Sequence, residues 1–177
     1  MSFTIRNATL DDIAAITAIY RDHVLTGLES FEYDPPDETE MRRRMEGIWA
    51  TKCPYIVAEE EDRIAGYAYA MIFKERPAYR FGVEDSIYLA KDAMGRGMGT
   101  ALLTELITLC EAAGFRQMIA IITRLDPPVS VNLHKKLGFV EQGILENVGV
   151  KNDHWLDVVY MRRSLGEGAS TIPTEEI

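Results

Sequence analysis

Met94-Gly95-Arg96-Gly97-Met98-Gly99-Thr100-Ala101-Leu102-Leu103, MGRGMGTALL, is the stretch on which the fold turns. It follows an alternating segment, Val83 to Ala90 (VEDSIYLA), and opens a run with Leu102, Leu106, Cys110 and Ala113 at helical spacing. The reading is strand, tight turn, helix. Glycines 95, 97 and 99 let the backbone turn sharply and approach a ligand closely. Unpaired N–H groups at a helix start favour an anion, with phosphate or pyrophosphate the natural guest. No Gly-Lys-Ser/Thr ending follows, so this is not the loop of the phosphate-binding NTPases. The dinucleotide fingerprint also fails, because its third glycine would fall on Thr100. Taken alone, three alternating glycines fit a ligand-free turn as well as an anion site.

Outward from the loop, Phe3 and Ile5 mark a short first strand. Thr9 and Asp12 resemble a capping box ahead of a helix carrying Ile13, Ile16, Tyr20 and Val24. After Pro35-Pro36, residues Met41, Met45, Ile48 and Trp49 mark a second helix. Tyr55 to Ala58 and Ile64 to Phe73 read as a hairpin across the acidic turn Glu59 to Asp62. Downstream, Gly114 suits the position just past the third helix. Met118 to Ile122 is a strand, Val129 to Leu137 a short helix, and Phe139 to Glu146 and Trp155 to Met161 are closing strands. The order β-α-α-β-β-β-α-β-α-β-β is mixed α/β, with helices covering a central sheet. Residues 1–165 form one domain. GEGASTIPTEEI, from Gly166, is small and polar and is expected to be a loosely held tail.

Composition narrows the partners. Nineteen basic residues against twenty-eight acidic leave a formal charge of -9 in 177 residues, which argues against general nucleic-acid or anionic-membrane binding. No apolar run spans a bilayer and the N-terminus has no signal-peptide pattern. Cys53 and Cys110 are far apart in sequence and have no metal-ligand neighbours, so neither a disulfide framework nor a metal is expected. The reading is a reduced, cytoplasmic protein.

Taken together, the strand with Glu84 and Tyr88, the x-x-Gly-x-Gly loop into a helix, and Leu137-Gly138-Phe139 resemble the GNAT superfamily of N-acetyltransferases, over roughly Phe3 to Arg163. The family pattern Gln/Arg-x-x-Gly-x-Gly/Ala reads here as Met94 to Gly99. Lys74-Glu75-Arg76-Pro77-Ala78-Tyr79 with Val83-Glu84 resembles the phosphinothricin and methionine-sulfoximine acetyltransferase subfamily. Ser30-Phe31, Ser130-Val131-Asn132-Leu133-His134 and Trp155-x-Asp157-Val158 match the same subfamily. Two places depart from the pattern. Met94 replaces Gln or Arg, and Pro127 or Asp126 stands where an Asn usually precedes the Ser.

The resemblance implies a GNAT fold with a mixed, mostly antiparallel sheet. It implies acetyl-CoA as cosubstrate, its pyrophosphate on the backbone of Met94, Gly95, Arg96, Gly97, Met98, Gly99 and Thr100. Tyr88 and Leu89 would pair with the pantetheine arm and stabilise the oxyanion, and Ser130 would add a cofactor contact. Glu84 becomes the general base for a small amino-acid-like amine, where the residues alone favour a solvated edge-strand carboxylate. His134 becomes a candidate to protonate the leaving thiolate; a helix histidine satisfied by a backbone carbonyl fits equally. Lys74 and Arg76 can pair with a substrate carboxylate and a phosphinate or sulfoximine group, and Phe31 and Tyr79 can wall its pocket. The subfamily also implies a homodimer through the C-terminal strands. The rival readings are acetylation of a protein N-terminus or another amine, and a non-catalytic acyl-CoA-binding module.

Overall fold

The computed structural model describes residues 2–174. Seven strands form one sheet: β1 (Thr4–Asn7), β2 (Tyr55–Glu60), β3 (Arg63–Ile72), β4 (Gly82–Leu89), β5 (Gln117–Thr123), β6 (Val140–Lys151) and β7 (His154–Ser164). Their spatial order is β1-β2-β3-β4-β5-β7-β6. Four helices cover it: α1 (Ile13–Thr26), α2 (Glu38–Ala50), α3 (Met98–Ala112) and α4 (Val129–Lys136). The element order and the mostly antiparallel sheet are those expected from the sequence.

Two separate cores place the helices. Leu102, Leu103, Leu106 and Cys110 of α3 are fully buried against Ala68, Ala70, Val83, Met118 and Ala120 of one sheet face. Ile13, Ile16, Tyr20 and Val24 of α1, with Met41 and Met45 of α2, pack on Tyr55, Val57 and Tyr67 of the other. Ahead of α1, the Asp12 carboxylate accepts the Thr9 amide at 2.8 Å. Past α3, Gly114 takes φ 90, the left-handed conformation expected at a helix end.

The closing hairpin is longer than the sequence reading. Asn152 and Asp153 both have positive φ, 49 and 62, as a two-residue type I′ turn requires, and Lys151 pairs with His154 directly across it. A register shift between Leu145 and Gly149, where Asn147 has φ 52, lets β6 pass an irregularity and keep pairing. The start of the segment expected to be loose is held. Arg116 binds Glu167 at 3.0 Å and the Thr171 hydroxyl at 3.2 Å, and the Gly168 amide donates to Leu165 O. Residues 175–177 of that segment lie outside the described residues.

One feature of the sheet makes the site. β4 and β5 are its parallel pair, and they pair only at Gly82–Gln117, Val83–Met118 and Glu84–Ile119. Beyond Glu84 the strands separate, and among the described residues no strand pairs with the C-terminal half of β4 on that side.

Candidate active site

The open edge of β4 can be assigned atom by atom. Phe73 N–H donates to Gly82 O, and Ala90 N–H to Ala65 O. Antiparallel strands alternate bonded and non-bonded pairs. The register Tyr67–Tyr88 and Tyr69–Ser86 therefore uses the Tyr88 and Ser86 backbone groups on β3. Ile87 and Leu89 turn theirs toward the gap. A strand-like ligand arm entering there finds an edge to pair with. Of the two residues expected to supply amides, Leu89 faces the gap. Tyr88 instead lends its ring to the α1 side, edge-on to Tyr20 with centroids 5.0 Å apart and stacked on Tyr67 at 5.3 Å.

The glycine loop lies just beyond that edge. Gly95 and Gly97 have φ 73 and 88, and a Cβ built on either meets nothing within 4 Å. The first amide bonded within the α3 start is that of Ala101, to Gly97 O at 3.1 Å. Among the described residues, the amides of Gly95, Gly97, Met98, Gly99 and Thr100 have no protein acceptor. These are the donors a pyrophosphate needs. The Arg96 side chain is turned away from this row, its guanidinium gripping the buried Glu60 carboxylate. Met94 is exposed, and Leu89 and Leu133 pack beneath Gly99.

Glu84 occupies the last paired position before the strands part. Burial pushes its carboxyl up to about 7; the neighbouring Asp85 charge adds to this and Lys74 opposes it. A carboxylate with that affinity for protons can take one from an amine near neutral pH.

His134 is differently placed. It is buried, as is Asp85, and its Nε2 donates to Asp85 Oδ2 at 3.0 Å. Its Nδ1 donates to Ser130 O at 2.7 Å. Both ring nitrogens face acceptors. Burial works against the charge, but the Asp85 carboxylate and the Ser130 carbonyl together hold the ring's pKa above its ordinary value. Ser130 is itself exposed on α4, with its hydroxyl 3.5 Å from Nδ1.

The residues expected to hold the amine come from two segments. Between β3 and β4, Lys74 lies over the Phe73 ring at 4.9 Å and Tyr79 stands edge-on to that ring at 5.7 Å. Arg76 is exposed and has no ion-pair partner among the described residues. Phe31 lies between α1 and α2 and rests on Gly149 of β6, where a Cβ would collide with its ring. Sequence reasoning missed what fixes that segment. The buried Lys151 ammonium donates to Ser30 O at 2.6 Å, and Tyr33 OH donates to Val150 O. It also missed His23, whose Nε2 donates to Leu89 O at 2.8 Å while Nδ1 meets Glu29. A lone histidine on a helix carries no pattern that announces such bonds. Among the described residues, no group of three or more His, Cys, Asp or Glu could hold a metal ion.

Known proteins resemble this chain in sequence and in fold. The acetyltransferase (GNAT) domain family matches residues 5–160. The chain belongs to the GNAT acetyltransferase family. A phosphinothricin N-acetyltransferase of Alcaligenes faecalis is 47% identical over 170 residues, 96% of this chain and 86% of that protein. An L-methionine sulfoximine/L-methionine sulfone acetyltransferase of Pseudomonas paraeruginosa is 32% identical over 166 residues, 93% of this chain and 96% of that one. The crystal structure of a GNAT phosphinothricin acetyltransferase from Sinorhizobium meliloti, in complex with acetyl-CoA, superimposes with a TM-score of 0.96 at 49% identity, covering 99% of this chain and 95% of that one. This GNAT protein is an acetyl-CoA-dependent N-acetyltransferase. Among its described residues, no helix is long and apolar enough to cross a membrane.

Proposed function

We propose that the enzyme acetylates the α-amino group of a phosphinothricin- or methionine-sulfoximine-type amino acid by direct transfer, with Glu84 as general base. The observation that carries this reading is the position of Glu84, a carboxyl with its pKa raised to about 7 at the point where β4 and β5 part. Acetyl-CoA supplies an activated acetyl thioester. The loop amides from Gly95 to Thr100 hold its pyrophosphate, and the Leu89 and Ile87 edge aligns its arm. Glu84 accepts the ammonium proton, directly or through water, and so frees the nitrogen lone pair. An amide N–H on the β4 edge offers a preorganised donor where negative charge develops on the carbonyl oxygen. The amine nitrogen bonds to the acetyl carbon, its second proton passes to solvent, and the C–S bond breaks to release the CoA thiolate, which takes a proton from solvent. His134, with both nitrogens committed, is read here as the structural link of α4 to β4 rather than as that proton donor. Lys74 and Arg76 pair with the substrate's anionic groups, and Phe31 and Tyr79 flank it.

The test is a panel of free amino acids and analogues, followed by CoA thiol release. The panel includes phosphinothricin, methionine sulfoximine, decarboxylated analogues and peptides with free N-termini. Highest kcat/KM on the anionic amino acids is expected. Preference for a peptide N-terminus overturns the substrate class, and acetyl-CoA binding without turnover on any amine overturns the catalytic reading.

A homodimer is part of the same reading. β6 is a twelve-residue edge strand, and Ile144, Leu145, Val148, Val150 and the neighbouring Trp155 are exposed on it and on β7. Trp155 is 67% exposed, an unusual state for so large an apolar side chain. Long apolar edges invite pairing. Light scattering should give twice the chain mass; a monomer at micromolar concentration overturns this point. A cytoplasmic setting is also part of the reading, supported by two buried free thiols, Cys53 and Cys110.

A further inference from the structure

The Leu89–Ala90 peptide joins the two halves of the cofactor cleft. Before it lies the open edge of β4, with Ile87 and Leu89. After it, a short turn from Lys91 to Ala93 leads to the glycine loop. One acetyl-CoA molecule must meet both, so the angle of this peptide sets their register. Its two polar atoms are both held. The Ala90 N–H donates to Ala65 O at 2.8 Å, within the β3 side of the sheet. The Leu89 carbonyl faces the gap, where no strand can hold it, and accepts from His23 Nε2 at 2.8 Å.

His23 is built for that one bond. It is 6% exposed, near the C-terminal end of α1. Its ring stands edge-on to Tyr88 with centroids 5.3 Å apart. Nδ1 meets the Glu29 carboxylate. Both nitrogens face oxygens that only accept, so both carry hydrogen and the ring is charged. The Leu89 carbonyl therefore receives a charge-assisted bond, stronger than one between neutral groups. Glu29 orients the ring, and Asp22 adds a second negative charge nearby.

We propose that His23 is a positioning residue for acetyl-CoA. By clamping the Leu89 carbonyl it fixes the strand edge relative to the glycine loop, and Glu29 fixes His23. This rests on the reading of the β4–β5 gap as the acyl-CoA arm's site. The bond, and not merely a filled space, is what matters. Two variants separate these roles. In His23→Gln the side-chain amide reaches the position of Nε2 and keeps the Leu89 bond while losing Glu29. In His23→Asn the amide reaches the position of Nδ1 and keeps Glu29 while losing Leu89.

Acetyl-CoA affinity is measured by calorimetry on the free enzyme, with the amine KM measured alongside. His23→Asn should weaken acetyl-CoA binding about tenfold or more, the scale of one lost hydrogen bond to a charged group. His23→Gln should stay within a few-fold of wild type, and the amine KM should hold in both. Equal effects of the two variants, or the reverse ranking, overturn the inference, because a merely structural histidine gives no such order. Should His23→Asn not fold, Glu29→Ala takes its place: several-fold weaker acetyl-CoA binding is expected, and wild-type affinity overturns the inference. Gly97→Val, measured in parallel, keeps the two readings apart. Its φ of 88 strains any branched residue and so distorts the row of loop amides, and affinity should fall by orders of magnitude. Unchanged affinity in Gly97→Val sinks the cleft itself. Lost affinity there, with His23→Asn unaffected, sinks only the role of His23.

Discussion

Glu84 and Asp85 are neighbours on β4 whose carboxylates leave the sheet on opposite faces. Asp85 points under α4 and is buried against His134. Glu84 points to the side of α1 and α2, opposite Met71 on β3. Successive strand residues must alternate in this way. The pair thus divides one stretch of negative charge between two environments. One carboxylate is neutralised by an imidazolium, and the other is left to titrate near neutrality, its proton affinity raised by burial and then by its neighbour's charge.

Glu84→Gln keeps the shape and removes the basicity. General-base groups contribute ~10²–10⁴-fold, so kcat should fall by about that much with acetyl-CoA affinity unchanged. The wild-type kcat/KM should decline on the acid side with an apparent pKa of about 7, and the variant should lose that limb. Near-full activity at neutral pH in Glu84→Gln would assign the base to a water or to another carboxylate.

The same substitution should act oppositely on stability. The folded-state pKa of Glu84, about 7, lies above its ordinary value of 4.5. Ionising it therefore costs more in the folded than in the unfolded chain. Below pH 4.5 the group is protonated in both states and Glu84→Gln should change little. Between 4.5 and 7 the wild type progressively loses stability that the variant keeps. Thermal melts at pH 4 and pH 8 check this: the variant's Tm should exceed wild type only at the higher pH.

The helices and strands were legible because periodicity and turn chemistry agree. Gly114, the acidic hairpin turn and the apolar stripe on α3 each announce themselves locally. The glycine loop announced a tight strand-to-helix turn for the same reason, while its glycines alone fit a ligand-free turn as well as an anion site. What sequence could not give is which face of β4 each acid takes relative to α4, because that depends on where His134 lands. The burial of Lys151 and the reach of His23 to Leu89 O are likewise contacts between residues 121 and 66 positions apart. No local pattern encodes them. The Asn152-Asp153 turn was readable in principle, since such pairs favour positive φ, and it is what extends β6 to Lys151.

His134 offers a test between two roles that the sequence left open. With both nitrogens bonded and Asp85 buried beside it, removing the ring leaves an uncompensated buried carboxylate. His134→Ala should cost about 3–5 kcal/mol of stability, the scale seen on breaking a buried ion pair. The kcat of the folded fraction should fall far less than the ~10²–10⁴-fold expected of an acid–base group. Chemical denaturation and active-site-normalised kinetics measure the two separately. A large loss of kcat with unchanged stability would return His134 to the role of proton donor.

Arg76 separates capture of the amine from its activation. Its guanidinium is exposed and has no ion-pair partner among the described residues, so no structural bond is broken by Arg76→Ala and the fold should be untouched. If the guanidinium meets the substrate carboxylate in ground state and transition state alike, its loss raises the amine KM and leaves kcat and acetyl-CoA affinity near wild type. One charge-assisted bond to a carboxylate is worth about 1.5–3 kcal/mol, so KM should rise by about tenfold to a hundredfold. The control is an amine without a carboxylate, whose KM should not move. An equal rise on both amines would mean that Arg76 shapes the segment between β3 and β4 rather than binding substrate. The preference for amino acids would then have to come from Lys74, a second cation of that segment and one that already opposes the raised pKa of Glu84.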